Sequence, residues 1–591
     1  MSAKQSNLSA SKYGYDLVVG ITQDSINATL GEYLDGVEGK PFKVVYIYNS
    51  KTKKYDKTDY DEFYKKVQVD PFAIPDGTDL SDERITKLKE HFFAFGFMVK
   101  AGSPMEFPVE DLPDYLELNQ GDSKVAYNAY YKEFAVVALR IGGYSGGSWQ
   151  HVSQSDTDDS GNLKYKKPWT FSYIVDLDLH NNDSAFSKLP PEQQNEVKNL
   201  NPDTAFSVQQ LYLDLNTARL QSSPQLEDCP ELENYDGINI FKQIIDSKDT
   251  DKAVNPNGNY MLGYAIKPKE SKSDASIIPT DLNFMDSPYL DNSGNATKKY
   301  SLYTLNWLMM TNKRNMPAPV HFEWNWVPEA DQSSYHGAMA IKKQVFVDHL
   351  NKLLSENLYN ACAQPTPDVE THGMKGISFG WSEPFDYGPH TYETVDPTPS
   401  SNKILTFNYN YGDKDSAENF GIGGSLKIDY NFDANVYLVN GNTIRIVAEP
   451  TVYIEVNVDP AGPVNINENK TIVRYVITDE YEIQVDGKGK MAAKKTYHDF
   501  KDNSDKLDSD FLDKVAEFLG LSFKDQVEEA QRDVKNRIIN DYLIDYESGM
   551  DALLNSSNVW IFPGGKTFAF KDAAFSDHLD LVCHITYLDP N

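Results

Sequence analysis

Period-two alternation runs through most of this chain. In FSVQQLYLDL (Phe206 to Leu215), SLKIDYNF (Ser425 to Phe432), TVYIEVNV (Thr451 to Val458) and DLVCHITYL (Asp580 to Leu588), apolar and polar residues take turns. Successive side chains of a strand point to opposite faces, so this pattern predicts strands with one face buried and one wet. Helical spacing is confined to a few places. Thr22 to Leu34 carries Ile26, Leu30, Tyr33 and Leu34 on one face, with Thr22 placed to cap it and Ile21 and Ile26 to staple its start. Lys342 to Ala361 carries Phe346, Leu350, Leu353, Leu354 and Leu358 on one stripe, with His349 beside it as a packing residue. A third helical region starts at Ser509, breaks near Gly520 and runs from about Phe523 to Leu554 with Val527 and Val534 inward. Asp82 to His91 and Glu192 to Leu200 are shorter candidates. A few long amphipathic helices among many antiparallel strands make an α+β fold, not a doubly wound sheet. Pro- and Gly-rich stretches at 102–122, 222–237 and 363–402 read as loops or linkers.

At 591 residues the chain exceeds what one core organises, so two or more domains are expected. Laid at an offset of 320 residues, YDLVVGITQDSINATLGEYL (from Tyr15) covers YHGAMAIKKQVFVDHLNKLL (from Tyr335). Both segments run from a short apolar strand through a polar start into a one-face helix, which suggests two halves of similar design, 1–325 and 326–591. The net charge of −32 would repel nucleic acid and anionic surfaces over most of the molecule. Acidity of this kind also keeps an apolar-rich protein in solution, so it does not by itself call for a cationic partner. The opening MSAKQSNLSASKYGYD has no apolar signal region, and the longest apolar runs, such as FFAFGFMV, are too short to span a bilayer. A cytoplasmic protein, or one exported without a recognisable signal peptide, is expected. Cys229, Cys362 and Cys583 are too few and too scattered for a disulfide framework or a four-thiolate metal site.

The motif GYSGG (Gly143 to Gly147) fits the nucleophile elbow of serine hydrolases around Ser145, and a serine esterase is the enzymatic alternative it raises. An elbow needs a helix directly after the serine, and Ser148 to Pro168 has no helical stripe. Ser145 is therefore read as a turn residue between glycines. DTDDSGN (Asp156 to Asn162) opens like a calcium loop but has Lys167 where a bidentate Glu is needed, and Asp159-Ser160-Gly161 lacks a partner triplet. No H-E-x-x-H or C-x-x-C occurs among the eleven histidines and three cysteines, and GIGG (Gly421 to Gly424) precedes a strand rather than a helix. No catalytic residue, metal or cofactor is expected. The many tyrosines and tryptophans leave a carbohydrate-binding surface open, without a localised signal for one.

The phrases YGYDLVVGITQDSIN, FSVQQLYLDLNTA, LYTLNWLMMTNKRNMP, FEWNWV, HGAMAIKKQVF and FPGGKTFAFKDAAFSDHLDLVCHITYLDP resemble the OrfX-type companion proteins encoded beside botulinum neurotoxin, the forty-seven-kilodalton member above all. That family is similar to the tubular lipid-binding (TULIP) superfamily, whose unit wraps a curved antiparallel sheet around a long helix and often occurs as a pair. The resemblance implies a non-enzymatic accessory protein of two such halves, with lipid or another apolar ligand, or a protein partner, as what it binds. Ile26, Leu30 and Tyr33 in one half and Phe346, Leu350 and Leu353 in the other would be its tube wall. An apolar stripe looks the same in sequence when it faces side chains, so an interaction scaffold with a filled core is the alternative.

Overall fold

The computed structural model describes residues 2–28, 42–101, 116–118, 124–129, 131–140, 148–153, 155–157, 163–165, 171–181, 206–222, 261–268, 279–358, 361–372, 376–381, 393–394, 402–439, 441–459, 465–486, 491–506, 560–561 and 567–588, with a few helical positions between 525 and 536. The protein is β-rich and its strand pairs are antiparallel. Each alternating segment singled out above lies in a strand: Phe206–Ser222, Ile422–Val439, Thr443–Asp459 and Leu581–Leu588.

Among the described residues helices are few, and they do not support the long amphipathic helices expected from the stripes. Among the described residues the longest is Lys343–Leu358, at 16 residues. The first helix is described only over residues 23–28, so Leu30 and Tyr33 lie outside the described residues, as does Glu192 to Leu200. Thr22 does cap this helix: its Oγ1 receives the Ser25 amide at 3.4 Å and shares a hydrogen with Ser25 Oγ at 2.7 Å. The helix expected at Asp82 to His91 runs Glu83–Glu90, with the Asp82 carboxylate accepting the Arg84 amide at 2.8 Å. The stretch 363–402, read as a loop, contains a hairpin of two five-residue strands, Pro367–Thr371 and Ile377–Trp381. Val369, Ile377 and Phe379 are buried there, and such short strands hide among the surrounding Pro and Gly.

Two sheets organise the molecule. The long sheet is a meander in sequence order, Glu393–Thr394, Lys403–Asn419, Ile422–Val439, Thr443–Asp459, Ile466–Val485 and Met491–Asp502. At about 3.3 Å per residue its 17-residue strands extend roughly 55 Å. The GIGG segment follows a tight turn at its hairpin tip, where Phe420 and Gly421 both take positive φ, +52° and +79°.

The central sheet brings distant parts of the chain side by side: Asp281–Ser287, Thr304–Met310, Leu17–Thr22, Gly337–Ile341, Leu581–Leu588 and Thr567–Phe570 follow one another across it. Leu17–Thr22 and Gly337–Ile341 are the two strands aligned by the 320-residue offset, and they pair antiparallel with Val19 opposite Met339, its own counterpart. A local two-fold axis therefore passes through that pair. Backbone hydrogen bonds obey it: Thr22 N donates to His336 O at 3.0 Å while Lys342 N donates to Asp16 O at 2.8 Å. One step outward, Asp16 N meets Met309 O and His336 N meets Ile585 O, at 3.0 and 2.9 Å. The approach is close enough that a Cβ on Gly337 would stand 2.2 Å from Gly20 O.

The chain's beginning is fastened to its end. Asp580, fully buried, accepts from Ser6 Oγ at 2.9 Å, Leu8 N at 2.7 Å and Lys343 N at 3.0 Å. It thereby supplies the cap that Lys342 cannot give to the second helix.

Candidate apolar ligand-binding face

Alternation gives the long sheet one largely apolar face. On Ile422–Val439 every second residue from Leu426 to Leu438 is apolar and buried, and on the next strand the same holds from Ile444 to Val458. The opposite face carries polar neighbours such as Lys427, Asp429, Arg445 and Glu480, with the last two paired at 2.6 Å. Partial exposure and charge separate the two faces as the pleat requires.

Phe346, Leu350 and Ile26 belong to the same apolar cluster as this face, with exposures of 1%, 0% and 6%. Leu353 is half-buried against it. The Phe346 ring lies 5.7 Å from that of Phe575, and Tyr430 OH donates to Ala361 O just past the helix. The structure thus brings Ile26, Phe346, Leu350 and Leu353 to one interior. From the third helical region Val527 and Val534 are buried as expected, and Gln531 Nε2 donates to Ile472 O at 2.7 Å. Tyr475 OH donates to Gln531 O at 3.2 Å, and burial, with Asp502 adding to it, pushes its phenol up to about 12.

One carboxylate stands on the apolar face. Asp479 continues the cross-strand row of Leu405, Val436 and Ile446, and it is 1% exposed. Its Oδ1 meets Lys495 Nζ at 2.9 Å and His498 Nδ1 at 2.7 Å on the edge strand, so the row ends in a neutralised charge. The alternation of TDEYEI already places this acid in phase with the buried Tyr481 and Ile483, whereas its partners Lys495 and His498 come from the neighbouring strand.

A second carboxylate–imidazole pair among the described residues also resembles acid–base machinery. His584 Nδ1 lies 2.8 Å from Asp572 Oδ1, and the Tyr335 ring stacks on the imidazole at 4.3 Å. Burial would raise the Asp572 carboxyl, but the hydrogen bonds and charge of His584 outweigh it and hold the group below its ordinary value. His584 Nε2 is buried and meets no hydroxyl or thiol among the described residues, so the pair lacks a nucleophile. Thr586 Oγ1, two residues along, is bonded to His336 Nδ1 at 3.1 Å instead. Cys362 and Cys583 are buried, and desolvation raises both thiols, Cys362 to about 12, which leaves neither as a thiolate.

GYSGG, with Ser145, lies outside the described residues. The strands before and after it, Tyr131–Arg140 and Ser148–Ser153, pair antiparallel with Arg140 opposite Ser148. A strand, not a helix, follows the motif. Asp156 lies in a short antiparallel pair in which Thr157 faces Leu163. The scattered aromatics do assemble in one place: Tyr13, Tyr15, Phe322, Trp324 and Trp326 pack together, and a cavity of about 430 Å³ opens beside Tyr13, Trp324 and the Lys12–Glu323 ion pair. No helix among the described residues is long and apolar enough to cross a membrane.

No family model and no curated protein matches this chain. Among solved structures it is similar to P47 from Clostridium botulinum A2, at 10% identity and a TM-score of 0.39 over 97% of both chains. P47 of Clostridium botulinum E1 gives 10% and 0.40, over 97% of this chain and 98% of that one. A lipopolysaccharide binding protein gives 10% and 0.26, over 97% and 99%. At these TM-scores the likenesses carry no argument about function.

Proposed function

We propose that this protein is a non-enzymatic binding protein of two TULIP-like halves, which holds a lipid or other apolar ligand between its one-face helices and the long sheet as an accessory to a toxin or other protein complex. The observation that supports this reading is the apolar face from Leu426 to Leu438 and from Ile444 to Val458. At 1.5 Å per residue the Lys343–Leu358 helix is about 24 Å long, less than half the length of the strands it packs against. About 10 methylenes of an acyl chain, at roughly 0.8 kcal/mol each, supply about 8 kcal/mol before ordering costs, so apolar contact is sufficient without charge pairing.

The near-complete burial of Phe346 and Leu350 favours a second reading, an interaction scaffold whose core is filled by side chains. Mass spectrometry under native and then denaturing conditions, with organic extraction, separates the two. Near-stoichiometric lipid released from the wild type and lost from Leu350→Trp is the expected result. A clean mass that liposomes do not change would favour the scaffold. p-Nitrophenyl ester turnover that disappears in Ser145→Ala would overturn the non-enzymatic reading.

A further inference from the structure

We infer that the tip of the small sheet is a docking surface for an anionic lipid bilayer. Strands Phe42–Asn49 and Lys54–Asp59 form a hairpin at the edge of this sheet, whose order continues through Phe93–Ala101. Tyr48 and Tyr55 stand opposite one another near its end, with rings 5.7 Å apart, and each is 40% exposed. Phe92 joins them from the start of the third strand: its carbonyl accepts the Tyr48 amide at 2.8 Å, and its side chain is 59% exposed. The backbone holds Phe92 at φ +58°, a conformation bulky residues rarely adopt. Lone exposed aromatics are ordinary, but here ring contact joins two and a backbone hydrogen bond brings a third to the same tip, which makes a patch.

The charge around them has the opposite sign to the rest of the molecule. Lys51, Lys53, Lys54 and Lys57 are all exposed on the hairpin, with Lys89 near Phe92, against the exposed acids Asp56, Asp59 and Glu90, a local positive excess in a chain of net charge −32. Aromatic rings flanked by lysines suit the boundary between headgroups and acyl chains, where the rings enter and the ammonium groups meet anionic headgroups. The acidic remainder does not prevent this, because a bilayer touches only the tip and charges farther than a Debye length of about 8 Å are screened. A long nucleic acid would have to continue across the acidic surface beyond the patch. These residues are not those of the long sheet's apolar face, so the docking surface stands whether or not a ligand is held there.

The test is sedimentation of the intact protein with phosphatidylcholine vesicles, with and without phosphatidylserine, at low and high salt. Wild type is expected to bind the phosphatidylserine vesicles about tenfold better, with the difference shrinking in salt. The triple variant Lys51→Glu, Lys53→Glu, Lys54→Glu is expected to lose that preference. Phe92→Gly keeps the backbone, since glycine adopts positive φ freely, and is expected to weaken binding several-fold without lowering the melting temperature. Equal binding to both vesicle types, binding to neither, or full binding by the triple variant would overturn the proposal. Retention of a single-stranded oligonucleotide in place of vesicles would overturn it too.

Discussion

Asp580 shows how one side chain can join parts of a chain that share no sequence neighbourhood. Its carboxylate serves Ser6, Leu8 and the first amide of the Lys343–Leu358 helix at once. Removing it leaves three buried donors without an acceptor, so Asp580→Ala should cost about 3–5 kcal/mol, while Asp580→Asn, which keeps one carbonyl oxygen, should cost less. Denaturant melts of both variants would check this, and equal losses would refute the capping role. Thr22 was legible as a cap because the residues it serves follow within three positions. Asp580 was not, because its partners lie 237 and more than 570 positions away. Separation along the chain also hid the stacking of Tyr335 on His584, while Asp572 and His584, 12 positions apart, and Asp479 and His498, 19 apart, come together only through strand pairing.

Among elements, the four alternating segments singled out in the sequence all fall in strands. The helix Tyr60–Val67 was missed, although Asp59 caps it and Phe63 and Val67 face inward. The stripe on Lys343–Leu358 was legible down to its buried positions, but its face cannot be told by sequence from one that lines a ligand. The pairing of Leu17–Thr22 with Gly337–Ile341 depends on the absence of a side chain at Gly337. Gly337→Ala would place a methyl group against the backbone of the neighbouring strand, where no rotamer change relieves it. A loss of about 2–3 kcal/mol is expected, read as a lower denaturant midpoint at unchanged slope. A midpoint equal to that of the wild type would show that the strands can separate slightly at no cost.

For the molecule as a whole, the offset between Tyr15 and Tyr335 was the one long-range signal in the sequence, and it marked two neighbouring strands of the central sheet. The order of the other strands across that sheet was not readable, because pairing partners are set by packing rather than by local pattern. Strand Leu17–Thr22, buried at every residue, is covered on one side by Thr304–Met310 and on the other by Gly337–Ile341. Expressed apart, 1–325 and 326–591 would each expose an apolar strand edge there, so neither fragment should give a folded, soluble product, and circular dichroism with size-exclusion chromatography would show it. Two well-behaved fragments would sink that expectation. The pairing of Val19 with Met339 has a further consequence. A strand that meets its own counterpart across a local two-fold axis has the geometry of an isologous contact, here made within one chain. Within one chain each side of such a contact varies alone, so Gly337 stands where its counterpart is Leu17, and the first helix has its own threonine cap while Lys343–Leu358 takes its cap from Asp580.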